Sequence, residues 1–435
     1  MGISRRDFGK LAGSSALGAT WLTPFAIAQT APKVVIVGGG AGGATVAHYI
    51  KKDAPNVDVT LIEANRRYSS SFFSNLYLGG FRTLESLDHG YSGITGRGIR
   101  VVHDRAADVD TAKKLVRTQG GINFAYDRLV LSPGIDIKYD SIEGYSREAA
   151  IPFPHAYNTD GAQKQLLKRQ LEAMRDGGVV LMVIPNNPFR CPPGPYERAC
   201  MIAHFLQTRK PKSKLIMLDP KKAFSKQPVF TEAFEKYYKS VLELNLSTEI
   251  DDFTVVRLDS KAKEVETKGG RKVRFDVANI IPQQRAGEIA IRAGCVDDDW
   301  CPINPENFSS MKVKDVYVLG DASIAAEMPK SAFSANSQAK VVAADILAEL
   351  ANKERFPARF RNTCWSLLAP DDDVKIGANY TPEAGKLAPS GSFASQRGED
   401  AGLRKQNYEE SIAWYANITA DMFARALPAE ARKPG

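Results

Sequence analysis

The sequence is poor in the residues that build metal and haem sites. It has five cysteines and five histidines in 435 residues. No cysteine pair is spaced CxxC, no CxxCH haem-attachment sequence occurs, and no His/Cys cluster has metal-ligand spacing, so no metal site is expected. His48, His89, His103, His155 and His204 are scattered and read as structural. Beyond the first 28 residues no stretch of 18 uninterrupted apolar residues occurs, so no membrane-spanning segment is expected. Zinc-finger spacing and RNA-binding signatures are also lacking. The 58 Lys+Arg against 50 Asp+Glu therefore do not argue for nucleic acid. The densest basic stretch, residues 209–215, is interleaved with Pro and Ser and reads as a solvated face. Charged residues at 25% and 43% hydrophobic residues are those of an ordinary globular protein, which excludes collagen-like, disordered and small disulfide-scaffold classes. The length allows two to four domains at roughly 100–200 residues each.

The N-terminus reads as an address. Arg5-Arg6 precede a modest apolar stretch, Leu11 to Leu22, which ends in Ala26-Ile27-Ala28, a small-residue cleavage pattern. Paired arginines followed by Phe8 and Lys10 predict a twin-arginine signal over residues 1–28, and hence a periplasmic protein. Its removal leaves a net charge of about +6.

Glycine-bearing signals then describe a cofactor. Lys33-Val34-Val35-Ile36-Val37 has the pattern of a buried parallel strand and runs into Gly38, Gly40 and Gly43 in GxGxxG spacing before a helix-like segment. A pyrophosphate would sit at that helix N-terminus. A second strand ends in Glu63, where a carboxylate can accept both ribose hydroxyls. Tyr126 to Gly134 resembles the strand-turn that flavoprotein disulfide reductases place beside this motif. Val316 to Asp321, ending in Gly320-Asp321, resembles their second flavin motif, whose Asp binds the ribitol. Together these imply FAD rather than NAD as the bound cofactor.

The expected fold is α/β, with two Rossmann-like dinucleotide-binding domains and a C-terminal α+β interface region. The FAD domain is split into residues 30–150 and 276–350 around an insert at 151–275, and the C-terminal domain covers 351–435. In the insert, the strand Val179 to Ile184 is followed by a turn holding Pro185, Pro188, Pro192 and Pro193 and one glycine, Gly194. Prolines have no N–H to offer a pyrophosphate, so the insert is expected to keep the fold and lack the nucleotide site.

Among the cysteines, Cys191 stands out, set in that proline-rich turn. Cys200 reads as a core residue, and Cys295 and Cys301 could form a small bridge or stay reduced. An oxidising compartment allows one or two disulfides among the five and leaves an odd number of cysteines unpaired. The residues alone leave the partner of Cys191 open.

Phe189 to Ala199, Ile281 to Gly287, Met328 to Gln338 and Asn362 to Pro370 closely resemble the flavoprotein subunit of flavocytochrome c sulfide dehydrogenase. The resemblance spans Val34 to the Ala413-Trp414-Tyr415 region. It implies that Cys191 and Cys364 form a redox disulfide, that Glu197 handles protons and that Trp414 lines the flavin. One position departs from the family: Ser71 stands where its members carry the cysteine bonded to the flavin, so FAD is expected without a covalent link.

The implied reaction is attack of hydrosulfide on the disulfide, with Cys191 carrying the persulfide and Cys364 passing the electron pair to the flavin. A separate c-type cytochrome is the implied acceptor. The rival readings are a sulfide:quinone oxidoreductase and a non-catalytic flavin-binding protein with a structural disulfide.

Overall fold

Five parallel strands form the first sheet of the computed structural model, which describes residues 31–248 and 252–424. The signal expected at residues 1–28 lies outside the described residues. From edge to edge the strands are Val316–Val318, Arg128–Leu131, Lys33–Val37, Asp58–Ile62 and Arg100–Val102. Read from the other edge in chain order this is 3-2-1-4-5, the doubly wound arrangement. Its ligand crevice opens at the carboxyl ends of Lys33–Val37 and Arg128–Leu131, where the strand order reverses. Val34 to Val37 are all buried, which is why the strand is continuously apolar instead of alternating. Helices Gly43–Asp53 and Ala332–Leu350 pack against each other beside this sheet.

The second sheet repeats the plan with Leu242–Leu246, Lys214–Asp219, Val179–Val183 and Val277–Ile280, again all parallel. Val180 and Met182 enter one core, with Tyr196, Met201 and Leu206 of helix Gly194–Arg209. Leu181 and Val183 enter another, with Val255, Leu258 and Val273. This is the two-residue alternation of strand side chains. The Rossmann-like insert expected from sequence is therefore present. Its boundary moves, however: Val277–Ile280 pairs with Val179–Val183, so the second sheet extends past residue 275 into the stretch expected to begin the second FAD segment. The two connections between the halves also pair with each other, Ile135–Ile137 running antiparallel to Gln284–Ala286.

The C-terminal part is an antiparallel meander, Phe360–Ala369, Asp372–Glu383 and Lys386–Ala394, followed by helix Ala401–Met422. Phe360, Ala378 and Tyr380 of this meander join the core of the first sheet. Leu367, Leu368 and Val374 join the core around helix Gly194–Arg209. At roughly 1.5–3 kcal/mol for each large apolar side chain, this burial anchors the Cys364 strand against the helix that follows Cys191. No helix among the described residues is long and apolar enough to cross a membrane.

Candidate active site

A cavity of about 740 Å³ opens at the carboxyl ends of the first sheet and extends to the Cys191 turn. The residues expected from sequence all line it except Gly43: Gly38, Gly40, Glu63, Gly134, Gly320, Asp321, Cys191, Glu197, Cys364 and Trp414. Gly43 lies behind the wall, where an added Cβ would sit 1.9 Å from the carbonyl oxygen of Gly38. That is the helix–strand packing role of the last glycine in the motif. Gly38 has φ +100°, and a Cβ there would meet the Ser132 carbonyl oxygen at 2.2 Å.

At the dinucleotide end, helix Gly43–Asp53 starts without a side-chain cap and without an acidic residue in its first turn. No side chain competes there, and the positive end of the helix dipole suits an anion. Glu63 is held by two backbone donors, Gly39 N at 2.7 Å and Asn65 N at 2.8 Å. Asp321 is more telling. Its Oδ1 is buried without a hydrogen-bond partner, while Oδ2 lies 3.9 Å from Arg190 Nε. Burial raises the Asp321 pKa, against the pull of Arg190 and Lys330. An orphaned buried acceptor costs about 1–3 kcal/mol, which a ligand hydroxyl would recover. Glycine turn, helix terminus, Glu63 and Asp321 together fit the pyrophosphate, ribose and ribitol of FAD.

At the sulfur end, all five cysteines carry free thiols, so the disulfide expected between Cys191 and Cys364 is not formed here, although both line the cavity. Cys200, Cys295 and Cys301 are buried in the cores, and none of them lines the cavity. Cys191 has φ +59°, and its N–H donates to the Lys330 carbonyl at 2.8 Å. Burial pushes its thiol up to about 12, and Cys364 and Glu197 push the same way. Three residues on, Gly194 begins helix Gly194–Arg209, and a Cβ on it would lie 3.0 Å from Cys191 Sγ. Glu197, in the first turn, accepts from Asn75 Nδ2 at 2.6 Å and from Leu367 N at 3.0 Å. Burial raises its pKa despite these bonds. The Cys364 thiol is also raised by burial, and Lys226 is the first influence opposing that rise.

Aromatic rings close one side. Trp414 stacks on Phe333 with centroids 6.0 Å apart and planes 7° apart, and Trp365 lies 5.3 Å from Trp414. Ser71 also lines the cavity, and Arg190 Nη2 donates to its Oγ at 3.4 Å.

The insert's own nucleotide site is filled from within. Asp219, at the strand end where a ribose would bind, accepts from Tyr196 OH and from Lys221 Nζ, each at 2.6 Å. Tyr196 stacks on Phe224 with centroids 3.7 Å apart. Sequence reasoning missed Arg190 and Asp373, which line the cavity, and Lys226, which lies behind it and donates to the Cys364 carbonyl. Arg190 was adjacent to Cys191 and so open to notice; Lys226 and Asp373 reach the site only through the docking of the C-terminal meander.

Three family models match the chain. "Sulfide dehydrogenase [flavocytochrome c] flavoprotein chain, central" covers residues 164–282 and "Flavocytochrome c sulphide dehydrogenase, flavin-binding" covers 357–423. "Pyridine nucleotide-disulphide oxidoreductase" covers 32–176. The flavoprotein chain of a flavocytochrome c sulfide dehydrogenase from Chlorobaculum thiosulfatiphilum is 46% identical over 43 residues, which are 10% of this chain and 90% of that sequence. The mitochondrial sulfide:quinone oxidoreductase of Mus musculus is 22% identical over 302 residues, covering 66% of this chain and 65% of its own length, just under two thirds. Among solved structures, the sulfide:quinone oxidoreductase of Aquifex aeolicus superposes with a TM-score of 0.68 at 18% identity, over 92% of this chain and 94% of that one. This likeness supports the α/β fold of paired Rossmann-like domains. With its central and C-terminal segments matched in this way, the chain belongs to the flavocytochrome c sulfide dehydrogenase flavoprotein family, within the flavoprotein disulfide reductase superfamily that includes the sulfide:quinone oxidoreductases.

Proposed function

We propose that this protein oxidises sulfide through a Cys191–Cys364 disulfide, with FAD as internal electron acceptor and a c-type cytochrome as external acceptor. The observation that carries the reading is the convergence of Cys191, Cys364 and Glu197 on the cavity that also holds the orphaned carboxylate of Asp321.

Glu197, its oxygens oriented by Asn75 and the Leu367 N–H, takes the proton that hydrogen sulfide loses. The hydrosulfide attacks Cys191 Sγ, the S–S bond breaks, and the electron pair leaves on Cys364 Sγ while Cys191 keeps the added sulfur as a persulfide. Glu63, Asp321 and the Gly43–Asp53 helix terminus would hold the FAD. Bound there, FAD supplies an acceptor for the electron pair that can release it one electron at a time. Trp414, Phe333 and Trp365 wall off the cavity around these groups. Ser71 offers no thiol for a thioether, so the FAD is held non-covalently.

Export through the twin-arginine route to the periplasm completes the reading, since that route carries folded proteins with a cofactor already in place. No CxxCH occurs in these 435 residues, so the haem of the proposed cytochrome lies outside them, and a charge of about +6 after export favours an acidic docking face on it.

The test is anaerobic titration of the purified flavoprotein with sulfide. The flavin should bleach, Cys191→Ser should abolish bleaching, and cytochrome c should reoxidise the flavin. Unchanged bleaching in Cys191→Ser removes the disulfide. Reoxidation by quinone analogues but not by cytochrome c points to the quinone class, and no bleaching at all points to a flavin carrier.

A further inference from the structure

We propose that Lys226 is a positioning residue for the thiol chemistry: its buried ammonium, clamped against the strand that carries Cys364, makes Cys364 the leaving sulfur when the disulfide is attacked at Cys191. The inference rests on the disulfide reading above.

Lys226 precedes helix Gln227–Tyr237, with φ +61°, and is 7% exposed. Its Nζ donates to the Cys364 carbonyl at 3.1 Å, to Ser366 Oγ at 2.7 Å and to the Val374 carbonyl at 3.4 Å. The ammonium therefore pins two strands of the C-terminal meander at the sulfur. None of these partners is a carboxylate, and among the described residues Lys226 makes no ion pair within 4.0 Å. A buried cation so held is costly unless nearby negative charge compensates it. The groups facing it that can carry such charge are Cys364 and Asp373 on the meander, Cys191 in the turn before helix Gly194–Arg209, and Glu197 in that helix's first turn. Arg190 and Arg198 face the same cluster from the Cys191 side.

The two sulfurs feel this cation unequally. For Cys364, Lys226 is the strongest influence favouring the thiolate. At both sulfurs burial is the larger influence and raises the thiol, but at Cys191 the charges of Cys364 and Glu197 add to burial ahead of Lys226 and push it up to about 12. A leaving thiolate of lower pKa departs faster. Hydrosulfide therefore adds its electron pair to Cys191 Sγ, the S–S bond breaks, and the pair moves to Cys364 Sγ beside the ammonium. The FAD named above is the oxidant that then takes it.

The test uses the reduced, flavin-loaded protein and iodoacetamide alkylation of each cysteine across pH, read by mass spectrometry. In the unmodified protein Cys364 should alkylate with a midpoint at least about one pH unit below that of Cys191. Lys226→Gln should raise the Cys364 midpoint by about 1–3 units, and Lys226→Arg should restore most of the shift. Sulfide reduction of the flavin should slow at least about tenfold in Lys226→Gln. A Cys364 profile unmoved by Lys226→Gln overturns the proposal. So does Cys191 titrating first in the unmodified protein, a comparison that needs no variant to fold. Sulfide that leaves the flavin oxidised while both thiol profiles behave as expected overturns the sulfide reading instead.

Discussion

The Glu197 carboxylate accepts the backbone N–H of Leu367 at 3.0 Å, tying the helix that follows Cys191 to the strand that carries Cys364. The same carboxylate therefore acts as a structural clasp and as the proton-handling group of the proposed reaction. Glu197→Gln keeps an amide oxygen to accept from Leu367, giving up the bond from Asn75 Nδ2 and the titrating proton. The variant should fold and bind flavin, while flavin reduction by sulfide falls about 10²-fold or more in stopped flow. A rate within threefold of the parent would remove Glu197 from the proton step.

The glycine motif makes a paired prediction. Gly43→Ala places a Cβ 1.9 Å from the Gly38 carbonyl, so it should lower the melting temperature of the flavin-free protein by overpacking, roughly 1–3 kcal/mol. Gly40→Ala meets only the Tyr68 ring at 3.4 Å and should leave that temperature nearly unchanged. Its methyl group instead obstructs the close approach of a pyrophosphate, so flavin content should drop sharply. Calorimetry together with flavin absorbance distinguishes the two.

Ser71→Cys should convert a releasable flavin into an attached one. Arg190 Nη2, 3.4 Å from Ser71 Oγ, would stabilise a thiolate introduced there. After acid precipitation the parent protein should release its flavin to the supernatant, whereas the variant should retain it in the pellet. Retention by the parent would contradict the non-covalent reading.

Asp373 links the site to pH. Burial pushes its pKa up from 3.8 to about 7, with Glu197 pushing the same way and Lys226 opposing. The folded state then binds a proton that the unfolded chain has lost. Its contribution to stability is full below pH 3.8 and is lost as the pH rises to about 7. Asp373→Asn should flatten the dependence of the melting temperature on pH across that window. Identical pH slopes in thermal melts of the two proteins would refute the assignment.

What could be read from the sequence was whatever depends on neighbouring residues. A continuously apolar strand, a glycine turn and a terminal acid are local requirements, so the first sheet's crevice and Glu63 were legible from neighbouring residues, while Asp321 was legible through the resemblance of Val316 to Asp321 to a flavin motif. The loss of the insert's nucleotide turn was likewise legible, because prolines have no N–H wherever they stand. The pairing of Val277–Ile280 with Val179–Val183 was not legible, since a short buried apolar strand carries no mark of which sheet it joins. Nor were Lys226 and Asp373, whose charges look like any surface charges in a linear chain. Only the docking of Leu367, Leu368 and Val374 onto the helix core buries them beside Cys364. Desolvation and the field of neighbouring charges exist only in the packed molecule. Cys191 thus stood out in the sequence and Cys364 joined it through the family resemblance, while the unequal surroundings of the two sulfurs exist only in the packed chain.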